Sequence, residues 1–356
     1  MAKKLGLYPM SRDMCAIARY SDLLEGYTLS KLMTPSFMLL NGEDVSILDG
    51  GYLANMTLSD FTKEGIAECD TLFVEYCDSL KDLGLYKEAI ESAELMGKEV
   101  IISRALAEKL EINISYTKGS CSPKHTSRNK LFDINVPVVM VFTQGAYADQ
   151  FAVELALRKH FRGEGYKVGQ IGSRECSNFF GFPSVPDVLY DCQDVYGNIL
   201  QFNSFVKDLV DVEKPELLIL GAPNAMMKYN NRILQGLGLL PYIVSSAVSS
   251  DVSVACMYYG SYKNSFYEDV SQFGKYHLGN PICFFSMANA AISSSSTPDI
   301  SELEIICLDS EFVKKGISET VISDEYRLFN SLDSESIKRA CIEVHDVLAG
   351  NVRYMR

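Results

Sequence analysis

Basic charge is scarce in this chain. Over 356 residues, 33 lysines and arginines face 46 aspartates and glutamates, for a net charge of −13. Nucleic acid is a poor partner for such a surface, because phosphate contacts need clustered Lys and Arg. Long apolar runs are also missing: none approaches the roughly 18–20 residues of a membrane span. The opening MAKKLGLYPMSRD carries two lysines, but its apolar stretch is too short for a signal peptide. A cytoplasmic location is the expectation. The ten cysteines include no Cys-x-x-Cys pair, so the spacing supports neither a zinc nor an iron–sulfur site. Ala255-Cys256-Met257, Ile282-Cys283-Phe284 and Ile306-Cys307-Leu308 place thiols in apolar, strand-like contexts. They read as buried free thiols of a reducing compartment.

The most specific absence lies at residues 136–175, VPVVMVFTQGAYADQFAVELALRKHFRGEGYKVGQIGSRE, which read as strand, glycine turn, helix, strand. A phosphate-binding loop belongs there, with the pattern G-x-x-x-x-G-K-S/T. Its glycines let backbone N–H groups approach the phosphates, its Lys supplies charge, and its Ser/Thr holds magnesium. Counting from Gly145, this chain has Gln150, Phe151 and Ala152 at the second Gly, the Lys and the Ser/Thr. The strand at 217–220 should be followed by an acid for magnesium-dependent hydrolysis, yet ILGAPNAM offers Gly221 and Asn224 and no carboxylate. Two independent requirements of phosphoryl transfer therefore fail, and ATPase or GTPase activity is not expected. Asp149 stands in or near the first helical turn, where it would cap the helix and repel a phosphate. No cofactor is expected. A nucleotide bound without hydrolysis, or a neutral or cationic ligand, is the alternative.

The remaining patterns organise the chain into two domains, in line with its length. Residues 1–116 alternate strand and helix signals. Leu5–Tyr8, Ser36–Leu40, Val45–Leu48, Thr71–Tyr76 and Glu99–Ser103 read as extended, and Asp13–Leu24 and Tyr86–Met96 as helical. Strands separated by helices imply parallel pairing and a small Rossmann-like unit. It lacks G-x-G-x-x-G, and Gly50-Gly51 reads as a turn. Residues 117–135 form a polar, Ser-rich linker carrying Lys118, Lys124, Arg128 and Lys130. These basic residues are either a solvated strip or a contact for an acidic partner. Residues 136–356 form a second α/β unit with a mostly parallel sheet, a degenerate relative of the P-loop fold. Within it, strands are expected at Val138–Phe142, Tyr166–Gly172, Glu216–Leu220, Val252–Tyr258 and Pro281–Met287, with Leu303–Leu308 the last. Helices are expected at Ala148–Arg162, Phe202–Val210, Asn230–Leu237 and Phe266–Phe273. A C-terminal helix opens at Ser334, is stopped by Gly350, and packs through Ile337, Cys341, Val344 and Leu348. On Ala148–Arg162 the four-residue spacing of Glu154, Arg158 and Arg162 predicts one exposed polar line. The segment FFGFPSVPDVLY at 179–190 reads as a loop tucked against the core, with a protein-binding patch as the alternative.

In open α/β sheets ligands bind beyond the carboxyl ends of the strands. That rule selects Gln144 and Gly145, with Asp149 and Gln150 at the following helix. It adds Ser173, Arg174 and Glu175 after the second strand, then Asn224, Tyr259 and Asn289 after later strands. Arg174-Glu175 is either a local ion pair or, through the guanidinium fork, a receptor for a carboxylate or peptide terminus. His125, His160, His277 and His345 have no triad-like or metal-like context and read as surface or structural.

The chain resembles the clostridial peptide maturation system proteins, which are encoded beside radical-SAM peptide maturases and a small Cys-rich precursor peptide. The likeness runs nearly end to end. It rests on LGLYPMSRD, LDGG near residue 50, QFAVELALRKHFRGEGYKVGQIGSRECSNFFGFPSVPD, ELLILGAPNAMMKYNN, SYKNSFYEDV with KYHLGNP, and LEIICLDSEFV. The resemblance implies an accessory role in making a ribosomally synthesised, post-translationally modified peptide, with the precursor peptide and a radical-SAM maturase as partners. It supplies no catalytic residues. The rival reading is a peptide-modifying enzyme that uses the cleft around Arg174, Glu175 and Asn224, with an unconventionally held nucleotide. A pairing of a Rossmann-like with a P-loop-like domain is known in larger proteins, which is likeness of fold alone.

Overall fold

The computed structural model describes residues 2–112, 129–191, 193–293 and 303–354. Lys118, Cys121, Lys124, His125, Arg128, Cys192 and most of the expected 293–299 loop lie outside them. The chain divides into two compact units: Met1–Lys118 with Asn178–Gly181, and Gly119–Ser177 with Phe182–Arg356. No described helix is long and apolar enough to cross a membrane.

The first unit runs β1 (Lys3–Tyr8), α1 (Cys15–Arg19), β2 (Tyr27–Thr34), α2 (Ser46–Asp49), β3 (Ser59–Asp60), α3 (Lys63–Ala67), β4 (Thr71–Val74), α4 (Leu83–Leu95), β5 (Glu99–Ile102) and α5 (Arg104–Leu110). Its sheet has the order β3-β2-β1-β4-β5, and every pairing is parallel. That is the Rossmann order. Sequence reading misses β2, whose YTLSKLMT mixes polar residues into both faces. Ser36–Met38 is a 3-10 turn and Ser46–Asp49 a short helix, so the extended readings there fail. Local side-chain bonding decides the second case: Asp44 accepts from the N–H groups of Ser46, Ala54 and Met56. Burial alone would raise the Asp44 carboxyl, but these donors bring it down to about 2. Gly51 leaves the space occupied by Arg19, where a β-carbon would sit 2.2 Å from the guanidinium. Arg19 forks onto buried Asp49 at 2.5 and 2.7 Å.

The second unit runs β6 (Val138–Thr143), α6 (Gln150–Gly163), β7 (Val168–Ile171), α7 (Val195–Glu213), β8 (Leu217–Ala225), α8 (Leu239–Ala247), β9 (Val252–Met257), α9 (Asn264–His277), β10 (Ile282–Met287), β11 (Ala290–Ile292), β12 (Ile305–Cys307), α10 (Ser310–Glu319), β13 (Arg327–Phe329) and α11 (Ser334–Tyr354). The main sheet has the order β13-β10-β9-β6-β8-β7 and is parallel throughout. All six residues of β6 are buried, as a strand covered on both faces requires. Val138, Met140 and Phe142 pack with α7, α8 and α9 in the larger core. On the opposite face α6 lies against β6, β7 and β8, and α11 lies against α6 and β9. This is a P-loop-like arrangement, with β6 between β8 and β9 at the switch point.

Several expectations fail for physical reasons. Glu154 is 0% exposed and Arg158 5%, so the line on α6 is not exposed; only Arg162 lies outside. Both α11 and the sheet cover this helix, and its polar stripe points inward. Gln235–Gly238 is a 3-10 turn with left-handed Gly236 and Leu237, so the Asn230–Leu237 helix is absent. Ile305–Cys307 pairs antiparallel with β11 outside the main sheet, and β13 is the true last strand. Cys307 is exposed, whereas Cys15, Cys69, Cys77, Cys176, Cys256 and Cys341 are buried. On α11 the cap is Asp333, which accepts from the N–H groups of Glu335 and Ser336 at 3.0 Å. The helix runs past Gly350 to Tyr354. Ile337, Cys341, Val344 and Leu348 are buried as the spacing predicts, and so are Phe179, Phe180, Phe182, Val185 and Leu189 of the aromatic loop.

Candidate functional site

The turn between β6 and α6 is built around its own side chains. Gln144 donates its N–H to Cys256 O at 2.7 Å, and its Oε1 accepts from Tyr258 N at 3.1 Å. The Thr143 hydroxyl donates to Gly145 O at 2.7 Å and accepts from Gly145 N at 3.2 Å. The Tyr258 hydroxyl donates to Ala146 O at 2.8 Å. It presses so closely on Gly145 that a β-carbon there would lie 2.3 Å from it. The Gln235 amide reaches the same turn, its nitrogen toward Gln144 O and Met227 O at 3.1 and 3.2 Å. Glycine at 145 thus makes room for a tyrosine hydroxyl and an amide.

The helix entry departs from the expected cap. Asp149 is the N-cap residue, but it has φ +58° and makes no side-chain cap bond. Gln150, at the position of the second P-loop glycine, donates its amide to Val141 O and Ala222 O, both at 2.8 Å. It stitches β6 to β8 beside the register shift that follows Val141. β8 itself runs on through Ala225, so Gly221 and Asn224 are strand residues; Asn224 has φ +63° and is exposed.

A second cluster forms at the end of β7. Ser173 N donates to Glu154 Oε2 at 3.1 Å. The Glu154 carboxyl fills the space beside Gly221, where a β-carbon would fall 2.2 Å from Oε1. Burial pushes this acid up to about 7, against the lowering effect of the Ser173 N–H and the Arg174 charge. Glu154 Oε1, the Ser173 hydroxyl and both amide atoms of Gln170 are buried without a hydrogen-bond partner. Arg158 donates to Val168 O at 3.3 Å and lies over the Phe182 ring at 4.7 Å. Arg174 and Glu175 follow on a partly exposed turn, which Ser177 holds by donating its N–H and hydroxyl to Arg174 O at 3.1 and 2.5 Å.

The ten residues selected from sequence therefore separate. Gln144, Gly145, Asp149, Gln150 and Asn224 gather around the ends of β6 and β8. Ser173, Arg174 and Glu175 gather at the end of β7. Two fall elsewhere. Asn289 is 0% exposed, donates to the Ser310 hydroxyl at 2.8 Å and accepts from Asn330 at 2.7 Å. Tyr259 packs its ring on Phe312 of α10. Sequence reading misses Tyr258 as a plug, and it misses Gln235, Gln170 and buried Glu154. The available signals are a glutamine inside the apolar strand VGQI and a glutamate on a helix apolar over most of its circumference. At the other end of the sheet, Asp251, Asn280, Cys283, Glu325, Arg327 and Asp346 line a cavity of about 380 Å³.

No family model and no curated protein matches the chain. Among solved structures, the crystal structure of a DUF1611 family protein from Anabaena variabilis superposes over 98% of this chain and 99% of its own, with TM-score 0.59 and 10% identity. The shared property is the fold. A pseudomurein peptide ligase type C from Methanothermus fervidus aligns over 71% of this chain and 37% of its own, with TM-score 0.27 and 11% identity. A likeness that low carries no argument.

Proposed function

We propose that this chain is a cytoplasmic accessory protein of peptide maturation, which binds peptide at the strand ends of its second unit and does not hydrolyse nucleotide. The observation that carries the reading is the Tyr258 hydroxyl, bonded to Ala146 O and lodged against Gly145. A turn packed in this way leaves less room for a triphosphate against its backbone. The missing Lys, Ser/Thr and downstream acid agree with it. Arg174 is the residue assigned to a peptide carboxylate, since its planar fork suits bidentate capture. The precursor peptide and a radical-SAM maturase are the partners, on the strength of the family resemblance.

The test has two arms. Thermal melts with ATP or GTP and magnesium are expected to leave the transition unmoved, because only a ligand of the native state raises it. A nucleotide-dependent rise, or turnover that disappears in a Tyr258 variant, overturns the reading. In pull-downs with the genomically neighbouring precursor and maturases, the wild-type chain retains peptide. Arg174→Ala weakens peptide binding by about 1.5–3 kcal/mol, the range for a charge-assisted bond, while circular dichroism stays unchanged. Equal affinity in the two proteins refutes the role given to Arg174.

A further inference from the structure

Left-handed backbone is rare outside glycine and is normally confined to single residues, because the β-carbon of an L-residue crowds the following carbonyl oxygen. The link from β8 into α8 departs from this four times in a row. Gln235, Gly236, Leu237 and Gly238 have φ of +48°, +70°, +55° and +73°. Two of the four carry side chains. Leu237 is 60% exposed, so burial of its side chain does not compensate for its conformation. Strain of this kind persists only where the surrounding structure holds it, and it gathers at ligand clamps and switch segments. Here the strained turn lies against the turn from β6 into α6. The Gln235 amide comes within 2.7 Å of the place of a β-carbon on Gly145, and a β-carbon on Gly236 would meet the Asn224 amide at 3.3 Å. The Gln235 nitrogen, aimed at Gln144 O and Met227 O, ties the two turns together.

Residues 227–238 have the form of a compact surface loop whose ends meet. At its neck Met226 N donates to Thr143 O at 2.8 Å. Gly238 stands so close to Met226 that a β-carbon on it would fall 2.3 Å from the Met226 carbonyl oxygen. The tip is braced from within. Asn230 Oδ1 accepts from the N–H groups of Arg232 and Ile233, both at 2.7 Å. Tyr229 N donates to Ile233 O at 3.1 Å, and Leu237 N to Leu234 O at 2.7 Å. Most of the tip is exposed. A braced tip on a strained neck moves as one piece. We propose that residues 227–238 are a strap over the β6–α6 turn, latched by Gln235 and sprung by its left-handed neck, which lifts to uncover the Gly145 backbone. The spring and the latch oppose each other. Lifting lets Gln235 and Leu237 return to ordinary φ, and it breaks the two bonds of the Gln235 amide. The strap serves whichever ligand reaches the strand ends, and Arg174 plays no part in it.

Leu237 allows the spring to be tuned with little loss of packing, since its side chain lies largely in water. Asn tolerates the left-handed region, and a β-branched residue does not. Hydrogen-exchange mass spectrometry on the full chain follows the strap at 227–238, the turn at 143–149, and α7 as reference. Exchange in the strap is expected to slow in Leu237→Asn and to quicken in Leu237→Val, the two variants differing by roughly fivefold or more. The turn should change by the same factor as the strap while α7 stays unmoved, the mark of one local opening. Gln235→Ala removes the latch and should quicken both segments several-fold. A strap that responds while the turn does not is a loose loop and not a cover, and overturns the inference. Equal exchange in the two Leu237 variants overturns it too. So does a change that spreads equally to α7, because the whole unit then opens. The Leu237 pair carries the test on its own should Gln235→Ala fail to fold, and none of these outcomes bears on peptide binding by Arg174.

Discussion

Gln150 and Glu154 stand one helical turn apart and have opposite relations to their surroundings. The Gln150 amide is fully used by two backbone carbonyls. Gln150→Ala is expected to cost about 1–3 kcal/mol in urea unfolding, because both acceptors lose their donor in a half-buried site. Gln150→Lys, which puts a cation on this turn one residue before the P-loop lysine position, should destabilise in the same way and confer no nucleotide binding. Glu154 is under-used, and its charged form is the costly one. Its folded-state carboxyl is raised to about 7 from an ordinary 4.5. The native state therefore holds its proton more tightly than the unfolded chain. The sign follows directly: the penalty is absent below about pH 4.5, grows as pH rises, and is complete above about pH 7. It amounts to about 3 kcal/mol at most. Stability curves of wild type and Glu154→Gln should diverge across that window, with the variant relatively more stable on the alkaline side. Parallel curves refute the assignment of a buried, titrating acid. Composition alone leaves both roles hidden: a four-residue spacing of charges looks the same whether the stripe faces water or a neighbouring strand.

At the scale of elements, the turn from β6 into α6 is the decisive piece. Its position and the helix that follows are legible because the apolar run at 138–142 and the apolar helix beyond it are long and periodic. The partner that closes the turn is not legible, because Tyr258 lies 112 residues further along the chain. Gly145→Ala should be markedly destabilising, since the added carbon meets that hydroxyl at 2.3 Å in a packed setting where overpacking costs about 1–3 kcal/mol. Combining it with Tyr258→Phe should recover part of the loss in a double-mutant cycle. Purely additive effects would mean that the two residues do not meet. The end of β13 gives a second case. The Asp333 carboxyl is raised by burial, but it is held below its ordinary value by the N–H of Ser336, Lys314 and the N–H of Glu335. Asp333→Ala should cost about 1 kcal/mol at neutral pH, as for other N-caps. The difference from wild type should vanish in acid, as the native carboxyl takes up its proton. The sequence pattern places this helix correctly and misassigns its cap by one residue, because Asp and Ser are both good caps and only geometry separates them.

For the whole molecule, alternation of strand and helix signals is enough to anticipate two parallel α/β units, because parallel pairing needs a crossover between strands. The missed pieces are mostly short: β2, β3, α3 and α5 in the first unit, and α8, β11, α10 and β13 in the second. Each unit has its own buried cluster, one around Leu72, Tyr86 and Leu106 and the other around Met140, Phe285 and Ile243. Scanning calorimetry is expected to give a calorimetric enthalpy larger than the van't Hoff value, the mark of more than one cooperative unit. Equal values would mean that the chain melts as one. Gly221 carries a consequence for descent. A lineage that exchanged the acid at 154 for a small side chain would be free to accept alanine at 221, whereas one that kept the acid would not. Across distant descendants of this protein the two positions should therefore drift as a pair, in step although they stand 67 positions apart.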